Sequence, residues 1–352
     1  MILNNLKVAS LAYRLYFKTA PWPVKISCAI RFIRHRFAGI TAPISVMIGL
    51  TYRCQCDCVH CGMNLYRVDP EEELSTDEVK SVIHQARELG SVEITFFGGE
   101  PLLREDLEEL VAFASSLKML PSLDTNGLLL TPERIRKLMD AGLAAVKVSL
   151  DSPEAEEHDR LRKTPGCFEK ALTAIRECVN RNLPCVISTY ASRENLKSGD
   201  LKEMIELGRK LEVDAVRIID TTLSGCFISS SGLALKTDDR IQLSNLLEPG
   251  FVFLENLASS RPLTHPVCSA MARRYFYVSP RGNVQPCCFV PLSFGNIRND
   301  PLKELLDRLW ESTVMSYDCD QCLMNNPEFR EKYLRRIETA ENLPIMFKEE
   351  NS

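Results

Sequence analysis

The first 56 residues contain no Asp or Glu, although eight Lys and Arg fall within them. The remaining chain holds 35 Lys and Arg against 47 Asp and Glu, so the net charge of −4 hides a basic arm on an acidic body. So mild an overall balance argues against bulk nucleic-acid binding. No uninterrupted apolar run approaches the ~20 residues that a membrane-spanning helix needs. Lys7, Arg14 and Lys18 interrupt the N-terminal segment, which argues against a signal peptide. There is no low-complexity stretch and no internal repeat beyond a strand–helix alternation. With 352 residues, 45% apolar and 26% charged, the chain has the composition of an ordinary globular protein with a sizeable core.

Cysteine, by contrast, is abundant at 14 residues. A secreted disulfide scaffold would be shorter and would pair its cysteines along its whole length. Here seven fall in two metal-like groups and seven are scattered, which points to a reducing, cytoplasmic setting. The first group lies in Cys54-Gln-Cys-Asp-Cys-Val-His-Cys61, where Cys54, Cys58 and Cys61 stand in a CxxxCxxC arrangement. Three thiolates in one short loop can wrap one face of a metal centre. A cubane iron–sulfur cluster has four iron corners, so three protein ligands leave one iron open. Zinc is the rival ion, but it takes four protein ligands in structural sites.

The order of the chain places this loop. Residues 1–43 read as a basic arm with helices over 3–18 and 24–38, split by Pro21-Trp22-Pro23. In the second helix Ile26, Ile30, Ile33 and Phe37 recur at helical steps among Lys25, Arg31, Arg34 and Arg36. Such a helix either covers the main domain with its apolar side or contacts an anionic membrane peripherally through residues 1–40. From residue 44 strands and helices alternate. Strands are expected at Ile44–Leu50, Val92–Phe97, just before Asp124, and at Ala144–Leu150, Pro184–Tyr190 and Val213–Ile219. Helices Asp77–Leu89, Glu105–Leu117, Pro132–Ala141, Phe168–Asn182 and Asn195–Leu211 lie between or beside them. Six such units imply an α/β fold with a parallel sheet. The chemistry then sits at the C-terminal strand ends, where Cys54–Cys61, Gly98–Pro101, Asp124–Gly127 and Ser149–Asp151 all fall. Residues 221–264 are a connector with a helix at Thr237–Leu247, 265–326 hold the second cysteine group, and 327–352 form a charged tail, helical to about Leu343.

On the CxxxCxxC spacing the chain resembles the radical S-adenosylmethionine (radical SAM) superfamily. The likeness runs over residues 44–220 and implies a partial (β/α)6 TIM-like barrel. It further implies a 4Fe–4S cluster on Cys54, Cys58 and Cys61, with SAM chelating the open iron. Reductive cleavage of SAM would then give a 5′-deoxyadenosyl radical that takes hydrogen from a substrate. A flavodoxin or ferredoxin would supply the electron. Two glycines let a backbone come close to a ligand, and the family's GGEP stretch, here Gly98, Gly99, Glu100 and Pro101, binds the methionine amino group. A strand-end Ser with a following Arg could hold a carboxylate. The resemblance carries that role to Ser149 and Arg162, with Arg160 as competitor. Thr125 and Asn126 read first as a turn, with a place near SAM as the other reading. The family pattern gives Cys56 no role, and His60 stands where an aromatic side chain near the adenine is common.

The second group is Cys268, Gly282 fourteen positions on, Cys287 five further, and then Cys319-x-x-Cys322. It resembles the SPASM domain, a C-terminal extension with auxiliary clusters. The full pattern has further cysteines, and none follows Cys322. The resemblance therefore implies one auxiliary cluster, 4Fe–4S in type, on Cys268, Cys287, Cys319 and Cys322, as in the shortened twitch-like form. Cys288 competes with Cys287, and structural zinc is the alternative. Cys226 reads as buried filler or as a thiol facing substrate. The expected reaction is modification of a peptide, protein or cofactor precursor, with a lipid or isoprenoid-like substrate as alternative. A non-catalytic iron–sulfur or zinc protein is the other class.

Overall fold

The computed structural model describes residues 7, 10–11, 13–18, 20–37, 43–66, 72–255, 268–317 and 322–349, with backbone alone at 16, 31–37 and 65. Strand β1 (Ser45–Gly49) leads into the cysteine loop. Helix α1 (Trp22–Phe37) precedes it, and α2 (Thr76–Glu88) follows the loop. Ser75 starts α2 with a capping box: its hydroxyl accepts from Glu78 N while the Glu78 carboxylate accepts from Ser75 N. The alternation continues through β2 (Glu93–Phe97), α3 (Leu107–Ser116), β3 (Leu120–Thr125), α4 (Pro132–Asp140) and β4 (Ala145–Ser149). Helices α5 (Ala155–Arg162) and α6 (Cys167–Asn180) lead to β5 (Cys185–Ala191); α7 (Arg193–Ser198) and α8 (Asp200–Lys210) lead to β6 (Ala215–Asp220). The single helix expected over Asn195–Leu211 is two helices, because Gly199 turns the chain through φ 91°.

Six neighbouring parallel strands form the expected partial barrel, but the sheet is wider than six. Among the described residues its order is β7-β6-β5-β4-β3-β2-β1-β8-β9, with β7 (Val252–Leu254) parallel to β6 and β8 (Tyr275–Val278) parallel to β1. A hairpin opens the C-terminal region: β9 (Val284–Gln285) runs antiparallel to β8. Its first strand is nevertheless part of the barrel sheet.

Strand side chains alternate between two faces. Val46, Ile48, Ile94, Phe96, Leu123, Val146, Val148, Ile187, Val216 and Ile218 point outward and join Val79, Ile83, Leu110, Ile135 and Ile175 of the helices in one buried core. Each such side chain contributes roughly 1.5–3 kcal/mol on burial. The intervening residues Thr95, Ser122, Asp124, Lys147, Ser188 and Arg217 are buried and polar, and face the barrel interior.

The N-terminal arm crosses the N-terminal strand ends. Ala20, Val24 and Cys28 pack on Leu120 and Ala144, and Leu11 and Leu15 pack on Val186 and Ala215. Arg14 Nη2 donates to Gly250 O at 2.6 Å and to Asp214 O at 3.2 Å. The arm does cover the main domain, but with Ala20, Val24 and Cys28; Ile26 and Ile30, which belong to the side expected to do the covering, stay exposed. Helix α9 (Thr237–Leu246) lies in the connector; at the other end of the chain, α10 (Leu302–Glu311) and α11 (Pro327–Glu338) precede β11 (Ile345–Met346), which pairs with β10 (Leu292–Ser293). No described helix is long and apolar enough to cross a membrane.

Candidate active site

The cysteine loop is fixed from three sides. Gly99 N donates to Thr51 O at 2.7 Å, and Glu100 N donates to Arg53 O at 2.8 Å. A Cβ on Gly98 would lie 2.3 Å from Thr51 O, and one on Gly99 would lie 2.3 Å from Arg53 O. The close approach these glycines permit is therefore to the chain leading into the loop. From α5, Leu161 O accepts from Val59 N at 2.9 Å and Arg162 O accepts from Asp57 N at 3.2 Å. From the segment after β6, Cys226 N donates to Cys61 O at 3.0 Å, and a Cβ on Gly225 would fall 2.0 Å from that oxygen.

Cys58 is buried, while Cys54 and Cys61 are half-buried. Asn126 Nδ2 reaches Cys54 Sγ at 3.7 Å and Gln55 Oε1 at 3.3 Å, while its Oδ1 accepts from Leu128 N at 2.9 Å. Cys56 points inward, its thiol shared by hydrogen bonding with the sulfurs of Cys167, Cys54 and Cys58. That sharing brings the Cys54 thiol down to about 7, against burial, which raises it. Cys167, at the start of α6, came from none of the sequence motifs; the chain places it there from 106 residues beyond Cys61. Among the described residues no three His, Cys, Asp or Glu side chains are arranged around a single metal ion.

Glu100 ties two strand ends together. It is fully buried, and its carboxylate accepts from Thr125 Oγ1 at 2.8 Å, Leu102 N at 3.1 Å and Asn126 N at 2.8 Å. Burial pushes its carboxyl up to about 7, although these donors pull it down. A carboxylate offers about four acceptor positions, so one remains. Thr125, read at the sequence level as a turn residue, is thus a link between β2 and β3.

A second buried set lies after β4. Arg162 Nε donates to Asp151 Oδ2 at 2.6 Å, and His60 Nε2 lies 3.4 Å from the same oxygen. Asp151 N donates to His158 Nδ1 at 3.0 Å. Arg160, the competitor for Arg162, faces solvent and pairs with Glu157 on its own helix at 2.6 Å. Burial lowers the His60 imidazole to about 4, so its ring is neutral at neutral pH, and it stacks on Tyr190 with centroids 4.2 Å apart. Ser149 ends β4 half-buried, opposite Ser188 on β5. The structure thus gathers Cys54, Cys58, Cys61, Gly98, Gly99, Glu100, Pro101, Asn126, Ser149 and Arg162 at one end of the barrel.

Below this layer the barrel interior holds a network of charges. Asp124 Oδ1 lies 3.1 Å from Lys147 Nζ, and Arg217 Nη2 donates to Asp124 Oδ2 at 2.7 Å. Arg217 also donates to Ser188 Oγ at 2.8 Å and pairs with Glu255 at 3.0 Å. Lys147 reaches Ser122 Oγ at 3.2 Å and Thr95 Oγ1 at 3.4 Å. Single sequence motifs do not reveal this set, because one or two members come from each strand.

In the second cysteine group burial raises the Cys287 thiol, and the charges of its neighbour Cys288, then of Cys322 and Cys268, raise it further. Burial, with the charge of Cys268 adding to it, raises the Cys322 thiol to about 12. Cys288 turns to the other side, among Met47, Tyr52, Met63, Tyr66 and Tyr277. Cys319 lies outside the described residues. Asn325 ties this region to the connector, its Oδ1 accepting from Leu223 N at 2.9 Å and its Nδ2 donating to Thr221 O at 2.8 Å. Phe289 covers Gly62, its ring 3.0 Å from where a Cβ would stand, so the two cysteine regions adjoin.

An all-thiol donor set on a loop held from outside, with an amide aimed at one sulfur, fits an iron–sulfur cluster. Comparisons agree. Residues 48–207 match the radical SAM superfamily model, and residues 268–337 match that of the SPASM iron–sulfur cluster-binding domain. The chain is 30% identical over 299 residues to an AdoMet-dependent heme synthase of Methanosarcina barkeri, covering 78% of this chain and 84% of that protein. It is 31% identical over 310 residues to a PqqA peptide cyclase of Rhodopseudomonas palustris, covering 82% and 81%. Its fold is that of Streptococcus suis SuiB bound to S-adenosylmethionine, with a TM-score of 0.63, 14% identity, and 82% and 70% of the chains covered. It is also that of anSMEcpe with bound AdoMet and a peptide, with a TM-score of 0.60, 19% identity, and 80% and 87% covered. The chain belongs to the radical SAM superfamily, as an enzyme that uses SAM with a 4Fe–4S cluster and carries a SPASM domain with an auxiliary iron–sulfur cluster.

Proposed function

We propose that Cys54, Cys58 and Cys61 hold the SAM-binding cluster, and that the substrate is a peptide, a protein side chain or a polar cofactor precursor. Bound there, the cluster supplies the electron that splits SAM into methionine and a 5′-deoxyadenosyl radical able to take a hydrogen atom from substrate. The chain's own residues orient and exclude. Asn126 donates toward Cys54 Sγ. Glu100 offers its remaining acceptor position to the amino group of SAM, beside the backbone of Gly98, Gly99 and Pro101. Arg162 keeps Nε on Asp151 and has further N–H groups for the carboxylate of SAM, with Ser149 at the adjacent strand end. Cys268, Cys287, Cys319 and Cys322 hold the auxiliary cluster, which closes with four ligands. A flavodoxin or ferredoxin supplies electrons.

The observation that carries the substrate class is the barrel interior. Asp124, Lys147, Ser188, Arg217 and Glu255 make it polar and charged, an unfavourable lining for an isoprenoid tail. The relatives named for a heme synthase and a PqqA peptide cyclase support the same class. The test uses deuterated candidate peptides and cofactor precursors with the anaerobic holoenzyme. Deuterium is expected in 5′-deoxyadenosine from a member of these classes. Transfer from an isoprenoid lipid alone would overturn the assignment.

A further inference from the structure

We propose that helix α1 docks this enzyme onto an anionic lipid surface. Trp22, Ile26 and Ile30 follow one another at four-residue steps and so share one stripe of the helix. They are 71%, 45% and 52% exposed. The opposite side of the same helix is used up, since Val24 and Cys28 pack on Leu120 and Ala144. Tyr13, 55% exposed, adjoins the helix with its ring centroid 5.7 Å from Lys25 Nζ. The outer stripe is therefore not what closes the barrel.

Charge selects the occupant. The segment Trp22–Phe37 carries Lys25, Arg31, Arg34 and Arg36 and no acidic residue, within 56 residues that have none. An aromatic and aliphatic stripe on an all-basic helix suits the headgroup layer of an anionic bilayer, where Trp sits at the boundary and Lys and Arg meet lipid phosphates. A second copy of the chain would bring two all-basic arms together and pay for their repulsion. The stripe lies at the N-terminal strand ends, whereas the cysteine loop lies at the C-terminal ends. Strands of five to seven residues rise roughly 3.3 Å per residue, so the site opens on the side away from the lipid. The arm thus localises the enzyme while its substrate arrives from water.

The full-length holoenzyme would be sedimented with vesicles of phosphatidylcholine alone and of phosphatidylcholine with phosphatidylglycerol. Binding is expected only with the anionic vesicles, and it should weaken as salt rises. In a Trp310→Phe background Trp22 is the sole tryptophan, and its emission should shift to the blue on binding. The combined change Trp22→Ser, Ile26→Ser, Ile30→Ser should lower vesicle affinity by about tenfold or more, with the rate of 5′-deoxyadenosine formation unchanged. Lys25→Glu should weaken binding without touching the apolar stripe. Vesicle binding that ignores both variants would overturn the proposal. So would its absence together with a dimer, seen by light scattering, that the triple variant dissolves.

Discussion

Replacing Asp124 with Ala is expected to cost about 3–5 kcal/mol of folding stability, the range for breaking a buried ion pair from one side. Asp124 faces Lys147 Nζ at 3.1 Å and Arg217 Nη2 at 2.7 Å, with all three side chains at or below 10% exposure. Without it two cations share the barrel interior with Glu255 alone, whose side chain is 27% exposed. Burial raises the Asp124 carboxyl, but Arg217 and Lys147 outweigh burial and hold it below the ordinary value. The sign follows: a depressed folded-state pKa gives stability that is present above the ordinary carboxylate range and lost as pH falls through and below it. Equilibrium unfolding of the anaerobic holoenzyme reads the effect. The combined change Asp124→Leu, Lys147→Met, Arg217→Met should recover much of the loss, because it removes the charges along with the pairing. A loss that persists in full in the triple variant would show that packing, not charge, is what Asp124 supplies.

Gly99→Ala is expected to lower the rate of SAM cleavage by about a hundredfold or more, because displacements of this kind near reacting groups have that effect. The new methyl would meet Arg53 O at 2.3 Å, Arg53 C at 2.7 Å and Tyr52 O at 2.7 Å, all backbone atoms. Nothing at the end of a flexible side chain can move aside, so the segment entering the cysteine loop must shift. Overpacking of this kind typically costs 1–3 kcal/mol, which thermal unfolding can follow. Gly232→Ala is the control, since a Cβ there meets nothing within 4 Å. A Gly99→Ala enzyme with the wild-type rate would mean that the loop tolerates movement at its base.

The parts of this protein that were legible in the sequence are those written in local spacing. The cysteine loop, the GGEP turn and the outward apolar positions of the strands each occupy a few consecutive residues. The two extra parallel strands of the sheet were not legible. β7 has three residues and β8 four, too few to show a pattern of their own. The bonds of Glu100 to Thr125 and Asn126 join residues 25 and 26 apart across two strands. The position of Cys167 beside Cys56 likewise depends on how α6 is carried back to the loop. Arg162 and Arg160 carry the same charge two positions apart. Helix α5 separates them by turning the first inward onto Asp151 and leaving the second in solvent. The arm was half legible: its amphipathic pattern predicts a covered face, but only the fold shows that the covered residues are Ala20, Val24 and Cys28, with Ile26 and Ile30 left outside.

The central claim is that Cys54, Cys58 and Cys61 bind a cluster with one iron left for SAM. It is tested most directly by incubating anaerobically reconstituted protein with SAM and dithionite, following 5′-deoxyadenosine and the electron paramagnetic resonance of the first cluster. The account predicts release of 5′-deoxyadenosine and a changed spectrum when SAM is added. Both should disappear in Cys58→Ala, while the signal of the auxiliary cluster remains. Undiminished 5′-deoxyadenosine from Cys58→Ala, or a first cluster whose spectrum ignores SAM in the unaltered protein, would contradict it.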